Sequence, residues 1–355
     1  MKSQRGFTLV EVMIALGISM LAMTVVMILV LFTTAKARDS DVVADSNSYA
    51  RLGGDAIASA LRLAGMGSGQ GIYLNSGGAP LLANAVYGRD NLTLNQAGNT
   101  VTGTDDLWII APIRNGMLDN CNIRGAYTIL SAAGTGPLGV KPLGGPPCTQ
   151  GFVNGDSLLV TNLNSAALIS SIVLNNPGIN QINYSESIIP GFSNAPQRGG
   201  FQQGDLVVLA NVVHYYLDRD PTTNQLALYS QRGVVGPDFL GRPLVDSGNP
   251  TLVQRYIEDL QVVYWLDPNQ SNDPAQYVDQ HGLAPQYQAG VKAVTLYLVA
   301  RTQATLKDAN NAQILSTMTA PKSVANHAVA GTPDGYRRAI YSRRIELPNL
   351  AASNI

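Results

Sequence analysis

Glu11 is the side chain whose setting points most directly to chemistry. It is the only charged residue between Phe7 and Ala35, in an apolar run longer than the roughly 20 residues that a helix needs to cross a bilayer. A carboxylate inside such a run costs a few kcal/mol, so it normally has a partner or lies near an interface. Two interpretations follow, a functional ion pair or a tolerated charge near the membrane surface.

Gly6 stands immediately before this apolar run. An ordinary secretory signal has its small-residue cleavage site after the apolar region, and the region is then discarded. Cleavage after Gly6 would remove only a short basic leader and would keep the apolar segment on the mature chain. The positive-inside rule keeps Lys2 and Arg5 in the cytoplasm, which places everything after about Lys36 beyond the inner membrane.

The N-terminus resembles the class III signal of type IV prepilins, through Arg5, Gly6, Phe7, Thr8, Leu9, Val10 and Glu11. This resemblance implies that a prepilin peptidase cuts between Gly6 and Phe7 and that Phe7 is N-methylated. It also implies that Glu11 pairs with the new α-amino group of a neighbouring subunit during assembly. Downstream segments resemble the PilW family of minor pilins; these are residues 49–55, 57–65, 226–232, 252–267, 291–301 and 334–338, with 258–262 the most telling.

The resemblance implies a non-catalytic minor pilin, without cofactor or metal, that helps to initiate a type IV pilus or caps its tip. Its partners would be other minor pilins, the major pilin and the prepilin peptidase. It would cross the inner membrane once, with the C-terminal domain in the periplasm, and would later reach the pilus and cell surface. The alternatives are a J-type pseudopilin of type II secretion, a tip adhesin or DNA-uptake module, and a membrane-tethered periplasmic enzyme.

The two cysteines, Cys121 and Cys148, have no metal-site spacing. In an oxidising compartment an isolated pair is most simply a disulfide, and the stretch between them is rich in Gly and Pro. Two buried free thiols are the alternative. The prediction is therefore a candidate disulfide that closes a loop with little packing of its own.

The pattern predicts an α+β fold in which a long transmembrane and stalk helix precedes a large antiparallel β-rich, pilin-like domain. We expect a leader at 1–6, the membrane half of the helix at 7–35, its stalk half at 36–65, and an extracytoplasmic domain of one or two sub-domains at 66–355. The stalk has no proline, repeats apolar residues at near 3.6 spacing, and meets a glycine-rich stop at Gly65. Predicted strands cover 106–111, 157–161, 166–174, 206–217, 225–231, 255–266, 291–301 and 337–347.

Little else in the sequence suggests catalysis. His214, His281 and His327 are far apart, and the pair at 105–106 is interpreted as turn aspartates. The net charge of −1 gives no general attraction to nucleic acid. One basic cluster could contact DNA or an acidic partner, or could form local ion pairs on a strand face; it comprises Arg337, Arg338, Arg343 and Arg344.

Overall fold

A computed structural model describes most of the chain. It covers residues 8–65, 71–76, 79–96, 99–112, 127–131, 138–142, 155–162, 166–169, 172–173, 181–184, 203–238, 242–269, 271, 273–285, 290–303, 305, 323–327 and 334–347. Within these residues one long helix precedes nineteen strands. The predicted class, a long N-terminal apolar helix followed by a large, mostly β domain, is confirmed.

The elements follow one another in chain order. They are α1 Leu9–Leu63, β1 Ile72–Ser76, β2 Ala79–Ala83, β3 Val86–Tyr87, β4 Leu92–Gln96, β5 Asn99–Thr104, β6 Leu107–Pro112, β7 Tyr127–Ser131, β8 Leu138–Pro142, β9 Ser157–Thr161, β10 Ala166–Ile169, β11 Ile172–Val173, β12 Gln181–Tyr184, β13 Leu206–Arg219, β14 Leu226–Asp238, β15 Arg242–Arg255, β16 Ile257–Asp267, a 3-10 turn Pro274–Gln276, β17 Val278–His281, β18 Gly290–Arg301 and β19 Arg338–Glu346.

Helix α1 is continuous over 55 residues. No proline interrupts it. The hydroxyls of Thr24 and Thr33 are satisfied within the helix, because they donate to the carbonyls of Met20 and Leu29 at 2.8 and 2.9 Å. Gly65 then takes a φ of +63°, a left-handed conformation that suits glycine at a helix end. The predicted single helix from the membrane run to about residue 64 is therefore confirmed.

The larger sheet is built around β13. Along one path the strands run β11-β12-β8-β7-β13-β9-β10-β1-β2, and β6 and β14 also pair with β13. The pairings are antiparallel except that β1 lies parallel to β10, so the expected antiparallel arrangement holds with this one local exception among the described strands. The residues just before β9 and β13, Gly155 and Gly204, both have a positive φ.

The smaller sheet has the order β17-β16-β18-β19. Helix α1 packs on β18 and β19 and also reaches β15 and β6. Buried residues of the helix, of the large sheet and of the small sheet form one hydrophobic cluster; among them are Ile57, Leu61, Ile109, Tyr216 and Leu296. The helix therefore packs against both the large sheet and the four-stranded sheet.

Strand β15 was not predicted from the sequence. It contains Pro243, Gly248 and Pro250, residues that usually exclude a strand interior. In the described part of the chain β15 pairs only with β14, so it forms a sheet edge, where proline and register shifts are tolerated. Its position at the edge explains why the sequence pattern missed it.

Candidate functional site

Glu11 lies in the first turn of α1 and closes a capping box with Thr8. The backbone N–H of Thr8 donates to Glu11 Oε2 at 2.9 Å, and the Glu11 N–H donates to Thr8 Oγ1 at 3.3 Å. The Thr8 hydroxyl also donates to Oε2, at 3.0 Å. These bonds satisfy free N–H groups at the helix start. The same carboxylate stays exposed, so an outside group can still reach it.

The N-terminal half of α1 presents its apolar side chains outward. Leu9 is 77% exposed and Phe32 is 58% exposed, and the large apolar residues between them are also exposed. Among the described residues this is the helix that is long and apolar enough to cross a membrane, with a mean hydropathy of 2.7 in its most apolar window. Length and composition alone support that statement. Partners for this surface must come from outside the chain.

The C-terminal half of α1 is docked on the β domain through small residues. A Cβ added at Gly53 would lie in van der Waals contact with Leu228 and Leu298, and one added at Gly54 would overlap the ring of Tyr341. Leu52, expected on the buried face, is 61% exposed instead. The buried face is set by close approach, since Ala50, Gly53, Gly54 and Ala58 let the helix lie against the sheet.

Asp55 links the docked half of α1 to β19 at the exposed border of their contact. The Tyr341 hydroxyl and the Arg343 guanidinium both donate to Asp55 Oδ1, at 3.2 and 3.1 Å. Arg51 lies one turn earlier on the same helix, and its Nε is 3.6 Å from Asp55 Oδ2. The three charged groups are well exposed, so they orient the helix more than they stabilise it.

Asp105 joins the β4–β5 hairpin, which forms a separate two-stranded sheet, to β16 of the four-stranded sheet. Its two carboxylate oxygens accept the backbone N–H groups of Asn91 and Val262, at 3.0 and 2.7 Å, and its own N–H donates to the carbonyl of Leu260 at 2.8 Å. Burial raises the pKa of Asp105 to about 8, against the opposing effect of the two N–H groups. The residue that follows β5 by one position, Asp105, therefore hydrogen-bonds to the backbone of β16.

Asp106 is fully buried beside Asp105 and holds a network of ionic groups. Arg89 donates from its backbone N–H at 2.7 Å and from Nε and Nη2 at 3.0 and 2.5 Å. His214 Nε2 lies 3.1 Å from the same carboxylate, and His214 Nδ1 lies 2.9 Å from Asp246. Burial alone would raise the pKa of Asp106, but His214 and Arg89 outweigh it and hold that pKa below its usual value.

His214 is positively charged in this network. Each ring nitrogen faces a carboxylate oxygen, so each has to donate a proton. Burial would lower the pKa of His214, but its bonds to Asp106 and Asp246 raise it above the ordinary value. The ring also stacks on Trp108, with centroids 4.1 Å apart and planes 5° from parallel.

Two family models match the chain. Residues 214–349 match "Type IV Pilus-assembly protein W" (PilW), and residues 1–33 match "Prokaryotic N-terminal methylation motif". Residues 214–349 are therefore similar to the PilW family, and the N-terminus is similar to the methylation motif. The resemblance read from the residues is thereby confirmed at both ends of the chain.

Two further comparisons were made. Among solved structures, a type IV-like pilin from Thermus thermophilus matches at 17% identity over 56% of this chain and 86% of that chain, with a TM-score of 0.24. The search of curated proteins gave no match.

Residues 258–262, in the part of the chain that matches PilW, form several contacts between strands. Glu258 pairs with Arg338 at 2.5 Å and with Arg301 at 3.4 Å. Asp259 bonds to His327 Nδ1 at 2.8 Å. Gln261 Nε2 donates to the carbonyl of Gly103 in β5 at 2.9 Å, which links β16 to the two-stranded β4–β5 sheet. The stretch is a structural joint between β16, β19 and the end of β5.

The basic cluster near the C-terminus is engaged in ion pairs. The Arg338 side chain is only 3% exposed and pairs with Glu258 and Asp334. Arg343 pairs with Asp55, and Arg344 pairs with Glu346 while its guanidinium lies 4.6 Å from the Trp265 ring centroid. The local ion-pair interpretation fits these contacts, and they weaken the case for a DNA-binding patch.

The sequence interpretation of the pair at 105–106 as turn residues was wrong. Both aspartates are buried, and their partners at Arg89, His214 and Val262 are distant along the chain. Burial of an acidic pair was not visible in the local pattern. Within the described part of the chain no group of three His, Cys, Asp or Glu side chains is arranged to hold a metal.

Four predicted site residues lie outside the described residues. Gly6 and Phe7 precede residue 8, and Cys121 and Cys148 fall within the undescribed parts of the β domain. Cleavage, methylation and the disulfide therefore remain predictions.

Proposed function

We propose that this protein is a minor pilin that helps to initiate type IV pilus assembly and caps the filament tip, without catalysing a reaction. Its partners are other minor pilins and the major pilin. The observation that carries the proposal is the contrast within α1, where the half from Leu9 to Phe32 is exposed and apolar while the half around Gly54 is docked.

The exposed apolar half of α1 has to be covered by different partners before and after assembly. Before assembly, lipid covers it; in a filament, the equivalent helices of neighbouring subunits would replace the lipid. Helices leave lipid for each other through close packing and polar contacts. Glu11, already positioned by Thr8 in the first turn, would supply the polar contact by accepting an ion pair from the α-amino group of a neighbour's Phe7.

A tip location is favoured by the size of the β domain. The described residues beyond α1 form nineteen strands, which is a large amount of structure for one subunit to carry outside its helix. A body of this kind is difficult to repeat at every position of a thin helical fibre. Immunogold labelling should therefore place the protein at filament ends, and abundant label along the shaft would contradict a tip role.

Glu11→Gln is the sharpest test of assembly. Glutamine keeps the capping geometry with Thr8, because Gln also serves at this helix position, but it cannot form the ion pair. We expect normal membrane insertion and a large loss of incorporation into sheared pili, measured by quantitative immunoblotting. Glu11→Asp is the matched control that keeps the charge, and it should retain more incorporation than Glu11→Gln. Normal incorporation of Glu11→Gln would exclude the ion pair.

Processing and orientation are tested on the same material. Mass spectrometry of the mature protein should find an N-terminus at a methylated Phe7, and protease added to spheroplasts should digest the domain after Lys36. A mature chain that begins elsewhere would remove the basis of the proposal.

The system served by the protein is decided by deletion. Loss of twitching with normal exoprotein secretion supports a pilus role, whereas the reverse supports a J-type pseudopilin.

The predicted disulfide is tested by mass spectrometry. In protein purified without reductant, the intact mass should show a bond between Cys121 and Cys148; two free thiols would exclude the disulfide.

A further inference from the structure

Strand β19 lies at the edge of the four-stranded sheet, whose order is β17-β16-β18-β19. It pairs with β18 along its whole length, from Arg338 to Glu346, without a register shift. In the described part of the chain no other strand pairs with it. A regular edge of this kind presents a row of backbone N–H and C=O groups with which a further strand can pair.

The backbone groups of β19 that point away from β18 are identified by the two ends of the ladder. Leu347 N–H donates to the Lys292 carbonyl at 2.8 Å, and Thr302 N–H donates to the Arg337 carbonyl at 2.9 Å. In an antiparallel ladder, hydrogen-bonded pairs alternate with pairs that are not bonded to each other. The odd-numbered residues of β19 therefore bond to β18, and the even-numbered residues direct their N–H and C=O groups outward. The outward residues are Arg338, Ile340, Ser342, Arg344 and Glu346.

The middle of this edge is open to solvent. Ser342, Arg343 and Arg344 are all exposed, and Ile340 is 46% exposed. Successive strand residues point to opposite faces of a sheet, so three exposed residues in a row mean that the edge is uncovered on both faces here. Among the described residues, none bonds to the outward backbone groups of Ile340, Ser342 or Arg344.

The charged side chains of β19 do not guard its edge. Charges often protect an edge strand from further pairing, but here they are drawn to the two faces of the sheet. The Arg343 guanidinium bonds to Asp55 of α1 on one face, and the Arg344 guanidinium lies over the Trp265 ring. The plane of the sheet is therefore left free for an approaching strand.

Three other edges of the described sheets carry features that discourage pairing. Strand β15 contains Pro243 and Pro250 and has three register shifts against β14. Strand β17 has only four residues, and β2 contains Pro80. Strand β19 contains neither proline nor glycine. Because proteins usually protect edges that stay free in solution, the unprotected β19 fits an edge that is paired in an assembly.

We propose that β19 is a docking edge at which an extended segment of another pilin subunit adds a strand to this sheet. An extended backbone is the partner that fits, because it offers donors and acceptors at the two-residue spacing of Ile340, Ser342 and Arg344. A second copy of this chain is disfavoured, because centred pairing of two β19 strands would bring Arg343 and Arg344 of one copy close to those of the other. The edge lies on the α1 side of the domain, and the choice of a pilin as partner rests on the proposed pilus function.

Ser342→Pro tests the edge by changing one outward N–H. Because this N–H points away from β18, proline removes a donor from the edge without breaking the internal ladder. Ser342→Ala is the matched control, since it keeps the N–H and removes only the hydroxyl. Tagged full-length protein is captured in detergent from its own cells, and co-purified proteins with a prepilin-type N-terminus are quantified by mass spectrometry. Ser342→Pro should lower the amount of pilin about three- to tenfold relative to Ser342→Ala, with an unchanged thermal unfolding midpoint.

Amide hydrogen exchange of the unsubstituted protein gives an answer that does not depend on the folding of a variant. In the isolated full-length protein, the amides of Ile340, Ser342 and Arg344 should exchange quickly, and those of Tyr341 and Arg343 should exchange slowly. In the captured complex, the three outward amides should exchange at least about tenfold more slowly. If Ser342→Pro lowers the unfolding midpoint, this measurement decides.

Four results would overturn the proposal. The outward amides are already slow in the isolated protein; they stay fast in the complex; a folded Ser342→Pro variant captures as much pilin as Ser342→Ala; or the captured partner is a further copy of this chain. Incorporation into pili with unprotected outward amides would remove the docking edge and leave the proposed pilus function standing. Absence of the protein from pili, with no pilin captured, would remove both.

Discussion

Glu11 and the pair Asp105 and Asp106 are acidic residues in apolar surroundings, but they differ in burial and in how far along the chain their bonding partners lie. Glu11 is exposed, and its described bonds go only to Thr8, three residues away. Asp106 is fully buried and is held by Arg89 and His214, 17 and 108 residues away. The exposed acid is accessible from outside the chain, and the buried acids hold distant parts of the chain together.

The largest difference should appear when one acid from each region is made neutral. Asp106→Asn leaves Arg89 and His214 without their shared buried counter-charge, and loss of one partner from a buried ion pair costs roughly 3–5 kcal/mol. Glu11→Gln keeps the cap and should change the free energy of unfolding by less than about 0.5 kcal/mol. Chemical denaturation of the full-length protein in detergent measures both. Equal effects would mean that the two regions do not differ as described.

Glycine substitutions make the same contrast along α1. Leucine at Gly54 would overlap the Tyr341 ring and should destabilise the β domain by about 1–3 kcal/mol. Gly17, in the exposed half, has nothing within 4 Å of an added Cβ, so Gly17→Leu should leave domain stability unchanged. If Gly54→Leu also has no effect, the helix does not dock as closely as the structure indicates.

The buried acids also predict that the free energy of unfolding depends on pH. The pKa of Asp105 rises from 3.8 to about 8, so across that window the native state holds a proton that the unfolded chain has released. The free energy of unfolding therefore falls as pH rises from about 4 to about 8. The raised pKa of His214 acts in the same direction above its ordinary value of 6.5.

Asp105→Asn tests this pH dependence. The variant should be less stable at low pH, because one backbone N–H loses its acceptor, but its stability should decline less steeply between pH 4 and pH 8. A difference of roughly 1–2 kcal/mol in the total decline is expected. An unchanged slope, measured by denaturation at several pH values, would show that Asp105 is already ionised in the folded state.

Sequence reasoning succeeded where the physical cause was local. The apolar run and the glycine stop at Gly65 are both set by residues that are close together in the sequence. It failed where the cause was tertiary. Asp105 and Asp106 lie between β5 and β6, and nothing nearby in the sequence reveals that Val262 and His214 will contact them.

The smallest expected effect is at Asp55, which resembles Asp106 in having arginine and aromatic partners but is 44% exposed. Because solvent screens such pairs, Asp55→Asn should cost no more than about 1 kcal/mol, and the cost should shrink further in high salt. Asp45→Asn is the control, since Asp45 is exposed on the same helix and forms no ion pair within the described residues. A loss at Asp55 as large as that at Asp106, or one insensitive to salt, would mean that the helix rim belongs energetically to the buried joint, and that burial is not what separates the two kinds of acid.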